Sequence, residues 1–242
     1  MYRGWVKHYY NRADAVICPT RFAERQLVEH GLTSASHVIS NGVPPDVRPQ
    51  PRSVESGHEG EFTLLMVGRL AAEKRQEDLI DAVRHSKHAG RIRLILAGAG
   101  PRQHDLERLT RVLPNGAEIG FIPRNRLLRL LSSADLFVHC SEVELEGIAV
   151  IEALSMGLPA LVAQSPDSAA SEFALDDDFR FPVGDTKALG ARLDALIEHP
   201  EKLAGARGRA RAVSRELEHG KSIDRLLDVY CKVIDARRLR AA

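Results

Sequence analysis

From Phe62 onward, short apolar runs alternate with amphipathic stretches, and that alternation constrains the fold of this 242-residue chain more than any other feature. The runs lie near 62–67, 92–97, 117–121, 135–139, 160–163 and 179–181. Several are apolar at successive positions, as in Phe62-Thr63-Leu64-Leu65-Met66-Val67, which suits strands buried on both faces. Helices are predicted between them and near 186–198, 200–216 and 221–239. Buried strands separated by helices form a parallel sheet covered on both sides. The predicted fold class is therefore α/β, a Rossmann-like parallel sheet with helices on both faces.

The first part of the chain is different. Residues 1–11 form a short aromatic amphipathic segment and 15–18 a strand. Thr20 is a good N-cap for a helix over 21–30, which Gly31 ends. A further strand is predicted at 38–40, closed by Asn41-Gly42. Residues 44–60 are rich in Pro, Ser, Glu and Gly and read as a linker. The predicted units are 1–45, a linker over 46–60, a main domain over 61–220 and a final helix over 221–242. Val16, Ile17, Phe22, Leu27, Val38 and Ile39 have little sheet of their own to pack on. Residues 1–45 are accordingly expected to be mobile or self-associating in isolation.

The chemistry-bearing residues follow two of the predicted strands. After 135–139 come Glu144, Gly147 and an apolar helix that carries Glu152. Strand, polar loop, glycine, helix leaves bare N–H groups at a helix N-terminus, here those of Ile148 and Ala149, which suit an anion such as a diphosphate. Two carboxylates separated by seven residues can accept hydrogen bonds from hydroxyls at two ends of a ligand. With four glutamates in eleven residues, the same loop also reads as a solvated acidic surface. After Phe62–Val67 come Gly68, Arg69 and Lys74. Two cations at the carboxyl end of a strand favour a phosphate, though solvated surface charges are the usual fate of such residues. Gly98-Ala99-Gly100-Pro101 matches a dinucleotide fingerprint only in part: position 103 is Gln, and Pro101 breaks the expected helix. NAD binding is rejected on that ground.

Taken together, Val67-Gly68-Arg69-Leu70 with Glu73-Lys74, Gly98-Ala99-Gly100-Pro101, Gly120-Phe121-Ile122-Pro123, the Glu144/Glu152 pair and Gly157-Leu158-Pro159 resemble the motifs of family 4 glycosyltransferases of the GT-B type, in their order and spacing. The resemblance covers nearly all of 13–200. It implies the C-terminal, donor-binding half of a GT-B fold, with residues 1–45 matching the end of an acceptor domain. It also implies a retaining enzyme that moves a hexose from a UDP- or GDP-linked sugar to an acceptor hydroxyl. Arg69, Lys74 and Glu144 would act on the diphosphate and the donor sugar. Gly68, Gly147, Ile148 and Ala149 would line the phosphates, Glu152 would hold ribose, and the backbone of Ile122 would meet the base. Two departures stand out. The family has Pro-Phe-Gly after its first glutamate where this chain has Leu145-Glu146-Gly147, and a glycine where it has Arg75. Ser165-Pro166-Asp167-Ser168-Ala169 and the acidic loop are similar to bacterial members that glycosylate diacylglycerol.

What the resemblance implies about partners follows. The donor is a nucleotide sugar and the acceptor a sugar or a lipid. The alternative reading is a non-catalytic donor-binding subunit or a truncated fragment, and a separate acceptor-domain chain is then an expected partner. An epimerase on the same fold fits the glutamate loop less well. No Asp-x-Asp motif stands where a metal-dependent transferase would need one, so no metal and no cofactor is expected.

Composition narrows the remaining classes. A net charge of +1 gives no nucleic-acid footprint. Cys18, Cys140 and Cys231 are far apart, which argues for reduced thiols, a cytoplasmic compartment and no zinc. No signal peptide is visible, and no apolar run approaches the length of a membrane span. Tyr2, Trp5, Tyr9 and Tyr10, together with Arg237, Arg238 and Arg240, are candidates for peripheral contact with the inner face of a membrane. Packing inside the protein is the competing reading.

Overall fold

The computed structural model describes residues 2–49 and 58–241. Two short strands, β1 (Ala15–Cys18) and β2 (Ala35–Val38), form one parallel pair. Six others form the main sheet: β3 (Phe62–Val67), β4 (Ile92–Ala97), β5 (Ala117–Gly120), β6 (Leu136–His139), β7 (Ala160–Gln164) and β8 (Arg180–Pro182). All are parallel, in the order β5-β4-β3-β6-β7-β8. The chain moves outward from β3 in one direction and outward from β6 in the other. In open α/β sheets this reversal leaves a crevice at the carboxyl ends of the two central strands, where ligands bind.

Both faces of the sheet are buried, which is why its strands read as continuous apolar runs. Successive side chains of a strand point to opposite faces. Leu64 and Met66 thus join one core with Leu94, Leu96, Leu79 and Leu193, while Leu65 joins the other with Ile95, Phe137, Ile151 and Leu154. Helices α3 (Gln76–His85) and α7 (Thr186–Glu198) cover the first face; α5 (Arg124–Ser133) and α6 (Ile148–Ser155) cover the second. Helix α4 (Gln103–Leu109) follows β4, and α8 (Pro200–Arg215) packs beside α6. The long α9 (His219–Ala241) runs back to the first unit, where Arg237 pairs with Asp14 at 2.6 Å.

The first unit differs from expectation in two ways. Helices α1 (Tyr2–His8) and α2 (Arg21–Glu29) enclose a small core of Val6, Val16, Cys18, Ala23 and Leu32. Phe22 and Ile39 are also buried, whereas Ile17 and Val38 stay exposed. The segment thus has more packing of its own than its sequence suggests. The second strand runs over Ala35–Val38 rather than 38–40, because Ala35 to Val38 pair one to one with Ala15 to Cys18. Ser40 and Asn41 leave the sheet to bond elsewhere. The expected linker also starts as packed chain: Val47 is buried in the core of the second face, together with Val43 just before the linker. Of that segment, residues 50–57 lie outside the described residues.

Candidate active site

A cleft of about 350 Å³ opens at the crevice, between the loops that follow β3 and β6. Gly68, Arg69, Lys74, Glu144, Gly147, Ile148 and Ala149 all line it, and so do His139, Leu145, Glu146, Pro19 and Asn41. A larger hollow of about 600 Å³ lies between α3 and α7, away from the strands' carboxyl ends. Volume alone therefore does not mark the site.

The loop after β3 is supported from beneath. Gly68 N–H donates to Ala97 O, and Leu70 N–H to Ala99 O, at 3.0 Å each. A Cβ on Gly98 would lie 1.9 Å from Gly68 O, and one on Gly100 would lie 2.3 Å from Leu70 O. Those glycines permit backbone to pack on backbone. The partial fingerprint at 98–101 is a buttress for the turn that carries Arg69 and Lys74.

Arg75 occupies the position where the resembling family has glycine. Its backbone is left-handed at φ 52°, which no other non-glycine among the described residues adopts. That conformation costs an L-residue roughly 1–2 kcal/mol. Its guanidinium makes two hydrogen bonds to Asp78, at 2.7 and 3.2 Å, and one to Glu142 at 3.4 Å. Charge-assisted bonds of this kind, worth about 1.5–3 kcal/mol, offset the backbone cost. They also tie the two loops together.

The loop after β6 is pinned along its backbone. Glu144 N–H donates to Asp167 O at 3.2 Å, Ala169 N–H donates to Glu144 O at 2.8 Å, and Ser165 Oγ donates to Glu142 O at 2.6 Å. The segment 165–169 is thus the support that fixes Glu144. Gly147, at φ 80°, turns the chain into α6. The amides of Ile148 and Ala149 follow in the first turn, where an N–H has no carbonyl one turn earlier to bond.

The electrostatics centre on Glu144. Lys74 Nζ donates to its Oε2, and His139 Nε2 lies 3.5 Å from the same oxygen. Burial opposes the charge on Glu144, but His139 and Lys74 outweigh it and lower the carboxyl pKa to about 2. His139 is buried at the end of β6, and burial depresses its pKa against the pull of Glu144. A neutral imidazole beside a fixed ion pair results. Arg69 is mostly exposed and pairs with Glu73. An exposed pair of this kind contributes about 0–1 kcal/mol, so an incoming anion can take Arg69 from it at small cost.

Glu152 and Ile122 stand apart from this cleft. The Ile122 side chain is buried in the core of the second face. Glu152 faces Arg124 Nη2, which donates to Oε1 at 2.9 Å, and Arg124 also grips Asp46 at 2.7 and 3.1 Å. The paired carboxylates therefore each hold one cation, Glu144 with Lys74 and Glu152 with Arg124. The sequence reading does not find Arg124, because an arginine opening a helix looks like any solvated one. His139, at the end of β6, also lines the cleft, with its ring beside Glu144.

Comparison with known proteins identifies the family. Residues 48–213 match the family described as glycosyl transferases group 1, and residues 1–47 match glycosyltransferase family 4. The sulfoquinovosyl transferase SQD2 of Arabidopsis thaliana is 30% identical over 208 residues, 81% of this chain and 40% of that protein. The alpha-monoglucosyldiacylglycerol synthase of Streptococcus pneumoniae is 26% identical over 216 residues, 83% of this chain and 48% of that protein. The chain thus spans about half the length of the curated relatives it matches. Among solved structures, the catalytic domain of cholesterol-alpha-glucosyltransferase from Helicobacter pylori shares 35% identity, with a TM-score of 0.60 over 64% of this chain and 99% of that one. Anabaena HepE in complex with UDP has the same fold, with a TM-score of 0.83 at 22% identity over 96% of this chain and 68% of that one. With its Rossmann-like sheet, its crevice and more than half its length matched, the chain belongs to the group 1 glycosyl transferases, on a family 4, GT-B type fold.

Proposed function

We propose that the cleft binds a nucleoside-diphosphate sugar, UDP- or GDP-linked, and that the chain supplies the donor-binding part of a retaining hexosyltransferase. The observation that carries this reading is the Lys74–Glu144 pair set beside the first turn of α6 at the crevice of the sheet. Lys74 and Arg69 meet the diphosphate, where negative charge grows as the bond between the anomeric carbon and phosphate oxygen breaks. The leaving oxygen takes the electron pair. The acceptor oxygen forms its bond to the same carbon on the same face, and its proton leaves with the departing phosphate. The amides of Ile148 and Ala149 add the helix N-terminus. Glu144 accepts from hydroxyls of the donor sugar, Glu152 from ribose, and the Ile122 backbone contacts the base. None of these steps uses a metal or a cofactor.

Relatives with lipid acceptors support a lipid as acceptor here, and with it contact at the inner face of a membrane. One is the GDP-mannose-dependent phosphatidylinositol dimannoside mannosyltransferase of Mycobacterium tuberculosis, 30% identical over 195 residues. Among the described residues no helix is long and apolar enough to cross a membrane. Exposed Trp5 and Tyr9, and the basic end of α9 held nearby through Asp14 and Arg237, offer a peripheral contact. Residues 1–45 supply one edge of the acceptor side, so transfer needs a further acceptor domain, in this chain's full protein or in a separate chain.

Calorimetry with UDP, GDP and their sugars tests the donor reading. Arg69→Ala is expected to weaken nucleoside-diphosphate binding by about 1–3 kcal/mol. Glu152→Gln should weaken even the bare diphosphate nucleotide. Glu144→Gln should spare it and weaken only the sugar nucleotide. Equal losses for the two glutamine variants would remove the division of labour between the carboxylates.

A further inference from the structure

Glu146 stands where the resembling family has the phenylalanine of Pro-Phe-Gly, and in this chain it is a buried carboxylate. Burying an ionised carboxylate is costly unless hydrogen bonds replace its water. Among the described residues, the hydrogen bonds to its carboxylate come from one place about a hundred residues earlier. Ser40 Oγ and the Asn41 backbone N–H donate to Oε1, and Asn41 Nδ2 donates to Oε2. The residue just before it, Leu145, accepts through its carbonyl from Thr20 Oγ at 2.8 Å. The loops that end β1 and β2 thus both grip the short stretch between Glu144 and α6.

The donor side of this clamp is itself held. Val43 N–H donates to Leu217 O at 2.8 Å, and Gly42 N–H donates to Ser40 Oγ at 3.0 Å. Gly42 lies so close to His219 that a Cβ there would sit 2.8 Å from its Cα. The turn at 40–43 is wedged between the start of α9 and Glu146. As a result Asn41 lines the cleft together with Lys74 and Glu144.

We propose that Glu146 is a positioning and specificity residue. It locks the Glu144 loop and the Asn41 turn into one unit, so that sugar recognition is shared between the first unit and the main domain. The donors to Glu146 among the described residues are neutral, so none of them competes with Lys74 for Glu144. The inference rests on the reading of the cleft as a donor site.

The test measures UDP, UDP-glucose, GDP and GDP-mannose affinity by calorimetry on the described chain, with hydrogen exchange at 39–43 and 144–148. Glu146→Ala should leave bare UDP and GDP affinity within about twofold and reduce that of a sugar nucleotide about tenfold, the scale of one or two lost hydrogen bonds. Exchange should rise in both segments together. Asn41→Asp, which sets two carboxylates against each other, should do the same. The double variant Asn41→Asp with Glu146→Gln restores the pairing with donor and acceptor reversed, and should recover both affinity and protection. Equal loss for bare and sugar nucleotides would show a merely structural role and overturn the proposal. So would failure of the double variant to recover. If the unaltered chain binds no nucleotide, the donor reading falls and the specificity claim with it. Exchange confined to 144–148 in Glu146→Ala would remove the clamp itself.

Discussion

The two ends of the candidate site are built on the same plan with different materials. At one end Glu144 is held by Lys74, a cation of the main domain, and lies beside a neutral imidazole. At the other, Glu152 is held by Arg124, which reaches on to Asp46 outside the main domain. The first pair lies in the cleft with both partners part-buried; in the second a buried Glu152 meets a more exposed Arg124, which opens toward the packed start of the linker. The same stretch of chain, residues 40–47, touches both ends, through Asn41 at one and Asp46 at the other. Neither end is therefore a property of the six-stranded domain alone, although every strand of the crevice belongs to it.

The comparison is open to breakage first by acid. Glu144 has its carboxyl pKa lowered from 4.5 to about 2, so its contribution to stability is full above pH 4.5 and is lost as pH falls toward 2. At 1.36 kcal/mol per unit this is up to about 3 kcal/mol. Denaturant midpoints between pH 6 and pH 3 should fall in the native chain and much less in Glu144→Gln. A midpoint that falls equally in both would place the acid-sensitive pairing elsewhere. His139, with a depressed pKa, works in the same direction: its contribution is full above pH 6.5 and declines below it.

A smaller effect sharpens the contrast in cations. Lys74→Ala leaves a mostly buried Glu144 without its main partner, and should cost on the order of 2 kcal/mol of stability, between the values for exposed and buried pairs. The same variant should raise the pH at which Glu144 titrates. Thermal unfolding unchanged to within a degree would show that the pair is as dispensable as a surface one.

Smallest is the effect at the other end. Asp46→Asn removes one of the two carboxylates held by Arg124 and should cost about 1 kcal/mol or less, because Arg124 and Asp46 are both partly exposed. Its signature is directional. Asp46→Asn and Arg124→Ala should be non-additive, and Glu152→Gln should weaken bare UDP less in an Arg124→Ala background than alone. Additive losses in that cycle would disconnect the linker start from the ribose end.

Much of the fold was readable from the chain. β3, β4 and α7 fall at the predicted bounds, since a strand buried on both faces leaves an unbroken apolar run and Asp185 caps α7 by accepting from Ala188 N–H. Gly68, Arg69, Lys74, Glu144, Gly147, Ile148 and Ala149 were legible as members of the cleft as well, because each follows a strand or opens a helix. What escaped is what depends on distant partners. Glu146 sits in a run of glutamates that reads as solvated, and only Ser40 and Asn41 make it a buried clamp. Arg124 and Asp46 look like ordinary surface charges until the fold sets them 2.7 Å apart. β2 was placed late because Ile39 looks like strand, and Ile39 N–H does still donate to Cys18 O at 2.9 Å before Ser40 turns away.

The central pairing of β3 with β6 has a consequence in time. Thr63 and Asp135, which bracket that pairing, are 72 residues apart and bonded to each other through Asp135 Oδ2 at 2.9 Å. Such long-range closure is slow, because chain entropy is spent before the contact forms. Lys74 and Glu144 belong to loops on the two sides of this seam, so the cleft does not exist until the seam closes. Nucleotide binding during refolding should accordingly lag behind the recovery of helical circular dichroism. The ligand would then act on the native side of the main barrier, slowing unfolding while leaving the folding rate unchanged.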